Sequence, residues 1–316
     1  AMNMTNVDAV EGPLSETFCA GVDIGGTKLA VGAIDRDGRV LRRRIAPTPS
    51  GPDKILETVA SMIEDLGRPQ AVGVGAPGII DGSSGRVWWA TDTIAGWAGT
   101  EVTGVLSALI GGTVVADNDV RMMAHGESLL GAGRPHPDAL LVSVGTGVGG
   151  AVRRCGELIH GAHGTAGEIA HLYVGPGTRV CSCGRTGHLE AAVAGPGIAA
   201  AYTDHLGKSA PALEQVAESM RAGDPLARTV IEDAAVILGR ALAGLVVALD
   251  VGAVIIAGGV LEIGDAWLSP LREALHAEVF PSHRQVPVLA AELGSEAGLV
   301  GAGLMAFEAL PKRVPT

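Results

Sequence analysis

Residues 18–47 read FCAGVDIGGTKLAVGAIDRDGRVLRRRIAP. Apolar runs separated by Gly25-Gly26-Thr27 and by Asp37-Gly38 spell three strands, over 18–24, 28–34 and 39–45, joined by two hairpin turns. Residues 139–164, ALLVSVGTGVGGAVRRCGELIHGAHG, repeat the scheme: strand, Gly-Thr turn, strand, Gly turn, strand. One β-meander opening each half predicts two similarly built α/β domains that face each other across a cleft, with a turn from each pointing inward.

The rest of the chain fits that plan. A helix is expected up to Leu66, a strand over 71–75, a short strand at Trp88-Trp89, and a helix over 102–109. A strand over 113–116 then ends on Asp117-Asn118-Asp119, and a helix follows over 120–130. Arg134-Pro135-His136-Pro137 breaks the chain. In the second half, helices are expected over 196–205, 212–221, 225–249 and 267–278, with strands over 254–257 and near Val288. The last helix, over 298–309, is made of small residues that allow close packing. The division expected is an N-terminal domain over 1–119 (with a tail over 1–17 and joined by the C-terminal helix, 298–316) and a C-terminal domain over 120–297.

Composition limits the function. At 316 residues, 47% hydrophobic and 18% charged, the chain is globular and long enough for two domains. A net charge of -11 argues against a nucleic-acid or anionic-membrane surface. The opening AMNMTNVDAVEGPLSE shows no basic segment followed by an apolar core, so no signal peptide is expected. The longest apolar run, 234–260, is interrupted by Arg240 and Asp250 and reads as a buried helix and strand rather than a membrane span. Four cysteines are too few for a disulfide scaffold, which points to a reducing, cytoplasmic setting.

Two glycine turns suit phosphate binding, with an ordinary hairpin as the alternative, and a third glycine pair suits a nucleotide. In Asp23-Ile24-Gly25-Gly26-Thr27-Lys28 the glycines let backbone N–H groups approach an anion, Thr27 adds a hydroxyl, and Asp23 is placed to hold Mg2+ or its water. Gly145-Thr146-Gly147 makes the same arrangement in the second half. Gly258-Gly259 follows a strand, where a nucleotide can lie against bare backbone or a helix can pack. Two look-alikes fail. Gly73-Val-Gly75-Ala-Pro-Gly78 does not open a helix, as a dinucleotide fingerprint must, and Gly207-Lys208-Ser209 has Tyr202 where a P-loop needs its first glycine.

The densest chemistry lies in 167–190, GEIAHLYVGPGTRVCSCGRTGHLE. Cys181 and Cys183, with His171 upstream and His188 downstream, suit a tetrahedral Zn2+ site, and Glu168 and Glu190 flank these four. A metal that staples the loop would aim both glutamates into a site. Asp117-Asn118-Asp119 supports two readings: a carboxylate and amide that hold sugar hydroxyls at a strand end, or a helix cap.

Together, Asp23–Lys28, 117–119, Gly145–Gly150, Glu168–His171, Cys181–Glu190 and 257–260 resemble, in order and over almost the whole chain, the ROK family of sugar kinases and repressors. The Cys-x-Cys-Gly-x-x-Gly-x-x-Glu segment is the most specific part. The resemblance implies a two-domain actin-like, hexokinase-type ATPase fold closing on ATP and a sugar, with the last helix packed on the first domain. It implies that Asp119 is the general base for the sugar 6-hydroxyl, and that Asn118, Glu168, His171 and Glu190 are sugar ligands. It places ATP phosphates and Mg2+ at the turns of Gly25–Thr27 and Gly145–Gly147, and adenosine beside Gly258-Gly259. It makes His171, Cys181 and Cys183 zinc ligands, with His188 in the place of the family's third cysteine. Other departures are Ala170 for a common glycine and Thr93 or Asp92 where glucokinases of the family carry an asparagine that helps to hold glucose; the second leaves room for an N-acetylated hexosamine.

The expected activity is therefore ATP-dependent phosphorylation of a hexose (glucose, mannose, N-acetylglucosamine or N-acetylmannosamine) by a cytoplasmic homodimer or homotetramer, without nucleic-acid or membrane partners. The alternatives are a non-catalytic sugar sensor and a transcriptional regulator. Against the regulator, only about twenty acidic, Pro-containing residues precede the first expected strand, too few for a helix-turn-helix.

Overall fold

The computed structural model describes residues 5–7, 17–206 and 212–311. Most of the expected tail, Gly207-Lys208-Ser209, and residues 312–316 of the C-terminal segment lie outside the described residues. The chain divides into two compact units: Ala1–Arg134 with Gly161–Thr165 and Ser295–Thr316, and Pro135–His160 with Ala166–Gly294.

The first unit runs β1 (Thr5–Val7), β2 (Cys19–Ile24), β3 (Lys28–Ile34), β4 (Val40–Pro47), α1 (Pro52–Leu66), β5 (Val72–Ala76), β6 (Ile79–Ile80), β7 (Val87–Trp89), α2 (Val102–Ile110), β8 (Val114–Asn118) and α3 (Asp119–Leu129). Its main sheet has the order β1-β4-β3-β2-β5-β8, and β6 and β7 form a separate ribbon. The meander β2-β3-β4 is antiparallel; β5 and β8 add parallel to β2. α1 buries Ile55, Leu56, Val59, Met62, Ile63 and Leu66, the spacing of one helical face.

The second unit continues with β9 (Ala139–Val144), β10 (Val148–Arg154), β11 (Glu157–Ile159), α4 (Leu189–Val193), α5 (Gly195–Leu206), α6 (Leu213–Arg221), α7 (Pro225–Leu249), β12 (Ala253–Ala257), α8 (Asp265–Glu278) and β13 (Val288–Ala290). Its sheet has the order β11-β10-β9-β12-β13, with an antiparallel meander and two parallel strands added on the other side. The meander-plus-two plan is thus built twice, as the repeated sequence pattern implies. Among the described residues no helix is long and apolar enough to cross a membrane.

The last helix, α9 (Ala297–Glu308), belongs to the first unit. It lies on the sheet backbone itself. A Cβ on Gly21 of β2 would fall on the Leu299 carbonyl oxygen, and one on Gly73 of β5 would fall on that of Ala302. On its other side, a Cβ on Gly301 would fall on the Met122 carbonyl oxygen of α3. This second contact corrects the expected domain division. The boundary falls after Arg134, at the proline break, and not after Asp119, because α3 packs against α9 within the first unit. The tail also gains structure: Thr5–Val7 pairs with 43–45 of β4.

The glycine contacts give a direct test. Gly73→Ala is expected to destabilise by about 1–3 kcal/mol or more, because the added methyl meets backbone that cannot step aside. Gly104→Ala in α2, where a Cβ meets nothing within 4 Å, is expected to stabilise by about 0.4–1 kcal/mol. Urea unfolding midpoints that move alike for the two variants would contradict this account of α9.

Candidate functional site

In the first unit, register places Asp23, Gly75 and Asp117 in one row across parallel β2, β5 and β8. The turn after β2 and the junction of β8 with α3 therefore open on the same sheet edge, the carboxyl edge at which open α/β sheets bind ligands. The turn is tightly braced. Gly25 N–H donates to Lys28 O at 3.0 Å, Thr48 N–H donates to Thr27 O at 3.0 Å, and the Thr48 hydroxyl donates to Gly25 O at 2.7 Å. A Cβ on Gly26 would lie 2.6 Å from the Thr93 methyl, so a glycine lets the turn sit against that side chain. Thr27 and Lys28 are exposed, and Asp23 is half-buried. Burial pushes the Asp23 carboxyl above the ordinary carboxylate range, and the Lys28 charge partly offsets it.

At the junction, Asn118 caps α3: its Oδ1 accepts from Val120 N at 3.0 Å and Arg121 N at 3.2 Å. Its Nδ2 donates to Gly78 O at 3.1 Å and retains a second N–H. The cap reading of this motif is therefore realised, and it leaves a donor. Asp119, half-buried on the first turn of α3, accepts from Val120 N at 2.9 Å. Beneath lies a pair that sequence reasoning missed. Asp117 and Arg121, each 2% exposed, form an ion pair at 3.0 Å. Asp117 also accepts Asn118 N at 2.7 Å, and Arg121 donates to Gly164 O. Their i,i+4 spacing, acid before base, is the signal that could have found them.

The second unit repeats the edge. Parallel β9 and β12, paired Ser143 with Ala257, bring the turn of Gly145–Gly147 beside Gly258-Gly259. The turn closes through Gly145 N–H to Gly147 O at 2.9 Å, and Gly145 O accepts Gly195 N at 2.8 Å from the start of α5. Gly258 has φ +91, and a Cβ there would fall on the backbone of Val144; this glycine is required for the strands' ends to meet. Around Gly259 a Cβ would meet nothing within 4 Å. The space over Gly259 is open, whereas that over Gly258 is filled by the backbone of Val144.

The loop 167–190 folds back on itself through bridges Tyr173–His188 and Val180–Thr186. Cys181 N–H donates to Arg185 O and Gly184 N–H to Cys181 O, both at 2.8 Å, with Gly184 in the left-handed region at φ +84. His171 ends a short 3-10 turn, Ile169–His171, which Glu168 precedes. The knuckle brings all four candidate ligands together, with ligand atoms within 4.8 Å of one another. Cys181 Sγ is 3.5 Å from His171 Nδ1, and Cys183 Sγ is 3.2 Å from His188 Nδ1. Tetrahedral zinc places bound sulfur and nitrogen about 3.5 Å apart. The donor set therefore fits that ion. Burial pushes the Cys181 thiol up to about 11.

Glu190, on the first turn of α4, faces this knuckle. Its Oε1 lies 3.2 Å from Ser182 N and 3.3 Å from Cys181 Sγ, and its Oε2 accepts Val148 N at 3.3 Å. Burial would raise its pKa, but hydrogen bonds from Ser182, Cys181 and Val148 outweigh burial and hold the carboxyl below the ordinary range.

Each unit thus gathers its own share of the expected residues: Asp23, Gly25–Lys28, Asn118 and Asp119 in the first, and the remainder in the second. The model of the ROK family matches residues 19–309. The chain belongs to the ROK family. A glucokinase of Streptomyces coelicolor is 31% identical over 313 residues, covering 92% of this chain and 98% of the relative. An N-acetylmannosamine kinase of Escherichia fergusonii is 34% identical over 290 residues, covering 90% and 97%. The crystal structure of a ROK family glucokinase from Streptomyces griseus in complex with glucose and AMPPNP superposes with a TM-score of 0.83 at 30% identity, covering 92% of this chain and 100% of that one. The fold of this ROK protein is the mixed α/β, actin-like, hexokinase-type fold.

Besides the pairing of Asp117 with Arg121, the roles of Thr48 and Gly195 were not foreseen: Thr48 braces the first turn through its hydroxyl and its N–H, and Gly195 meets the second through its N–H. The buried pair yields a prediction. Arg121→Ala strands the Asp117 carboxylate beneath the cap and is expected to cost about 3–5 kcal/mol of stability. An unfolding midpoint within error of wild type would remove the pair from the account of this junction.

Proposed function

We propose that this ROK protein is an ATP-dependent sugar kinase that transfers the γ-phosphoryl group to the 6-hydroxyl of a hexose or N-acetylhexosamine. The observation that carries the reading is the sheet edge of the first unit, where the phosphate-type turn of Gly25–Thr27 and the Asn118-Asp119 junction open together. The resemblance to kinases of glucose and of N-acetylmannosamine supports it. A relative that holds glucose and AMPPNP supports ATP as the phosphoryl donor.

In the proposed reaction, the sugar O6 forms a bond to Pγ while the bond from Pγ to the β–γ bridging oxygen breaks, releasing ADP. Asp119 takes the proton from O6. Such transfers pass through a loose transition state, so positioning and charge stabilisation carry most of the acceleration. Backbone N–H groups of the two Gly turns would supply fixed donors to the phosphates. Asp23 would hold Mg2+ or its water, and the metal would neutralise phosphate charge. Asn118, through its remaining N–H, and Glu168, His171 and Glu190 would hold sugar hydroxyls. His171 would bind zinc through Nδ1 and leave Nε2 for the sugar. The zinc, held by His171, Cys181, Cys183 and His188, would be structural.

Three outcomes are expected. In a coupled ADP-release screen over glucose, mannose, N-acetylglucosamine and N-acetylmannosamine, one sugar gives the highest kcat/KM; no sugar-dependent ADP release would refute the kinase reading. Asp119→Asn retains sugar binding and loses about 10²–10⁴-fold or more in kcat. Elemental analysis of protein purified without chelator finds one zinc per chain, absent in Cys181→Ser.

A further inference from the structure

We propose that Glu190 is a positioning residue that ties the metal loop to the Gly145–Val148 turn, so that occupancy of the metal site tightens nucleotide binding even without sugar. The inference rests on the kinase reading and extends it to a link between two sites of the second unit.

The geometry is specific. Glu190 stands two residues after the candidate ligand His188, which is the N-cap of α4. One carboxylate oxygen faces the knuckle, at 3.2 Å from Ser182 N, and the other accepts Val148 N at 3.3 Å from the turn. The turn also lies against the carboxylate, since a Cβ on Gly147 would come 3.1 Å from Oε2. A second tie runs the same way: Gly145 O accepts Gly195 N at 2.8 Å, just beyond the end of α4. The turn is thus gripped twice by the segment that begins at His188.

A carboxylate has about four acceptor positions, so Glu190 can serve this tie and a sugar hydroxyl together. For that reason sugar affinity alone does not separate the roles. The Ser182 N–H is not consumed by metal binding, so it stays available to Glu190 when Cys181 and Cys183 hold the metal. An unfastened knuckle would release one end of the tie. The turn's N–H groups would then lose the fixed aim on which anion binding depends.

The test measures the dissociation constant of Mg·ADP without sugar, by calorimetry, on wild type and Glu190→Gln, each zinc-loaded and zinc-stripped. Stripping is expected to weaken wild type by about 5–10-fold, and loaded Glu190→Gln to be weakened to a similar degree. Stripping the variant should then change little, because both perturbations cut one path. Hydrogen exchange at the Gly145–Val148 amides, read on wild type alone, should quicken on stripping. Equal fold-losses on stripping in both proteins, or unchanged exchange in stripped wild type, would overturn the tie. So would a loaded variant with wild-type ADP affinity and a raised KM for sugar only. Loaded wild type that binds no Mg·ADP would instead overturn the kinase reading itself.

Discussion

The first unit depends on backbone meeting backbone. α9 reaches β2 and β5 closely enough that the Leu299 and Ala302 carbonyls occupy the space of absent side chains at Gly21 and Gly73. That approach fixes the height of the helix over the sheet to a fraction of a methyl group. It also draws in α3, which meets α9 through Gly301 and Met122. Since α3 begins at Asp119, the position of the proposed base is set by a helix nearly two hundred residues away in sequence. Close packing of this kind transmits strain, because interiors are filled as densely as organic crystals.

Packing alone would leave the chain free to slide at the β8–α3 junction. The buried pair of Asp117 and Arg121 removes that freedom by spanning the strand end and the first helical turn, while Asn118 caps the turn above them. A buried ion pair is a costly way to gain stability, and a hydrophobic substitute often does as well. What the pair adds here is direction. The Asp117 carboxylate holds the Asn118 N–H, and Arg121 reaches the Gly164 carbonyl, so Asp117, Asn118 and Arg121 are oriented before any ligand arrives.

The sequence announces the turns and hides their supports. Both meanders are visible because alternating apolar runs broken by Gly turns have one simple solution, a hairpin. The Cys/His knuckle is visible because those residue types at that spacing seldom gather without bringing their ligand atoms together. By contrast, β6 has two residues and α4 has five, too few for a period to register. The membership of α3 was misjudged because its buried set, including Gly126 and Ser128, is too small and polar to show which sheet it covers. Arg121 resembled a surface residue, since burial of a charge follows from its partner and not from its own type. Thr48 contributes a hydroxyl and an N–H to the turn, and Gly195 an N–H at a close approach, contacts between distant segments that no local pattern announces.

One substitution also connects the metal site to the carboxylate beside it. The resemblance to the family puts His188 in the place of a third cysteine; with the proposed ligands, two thiolates would balance a bound Zn2+ and the centre would close neutral. A third thiolate would leave a net negative charge near Glu190, whose Oε1 already lies 3.3 Å from Cys181 Sγ. In a partly buried setting such repulsion is substantial, because screening by water is weak. The carboxyl of Glu190 is held below the ordinary range by its protein donors and accepts from Val148 and Ser182 together. A neutral centre and a charged neighbour are compatible where two like charges would not be. The histidine at 188 thus makes chemical sense together with the glutamate at 190, and the two are best understood as one device.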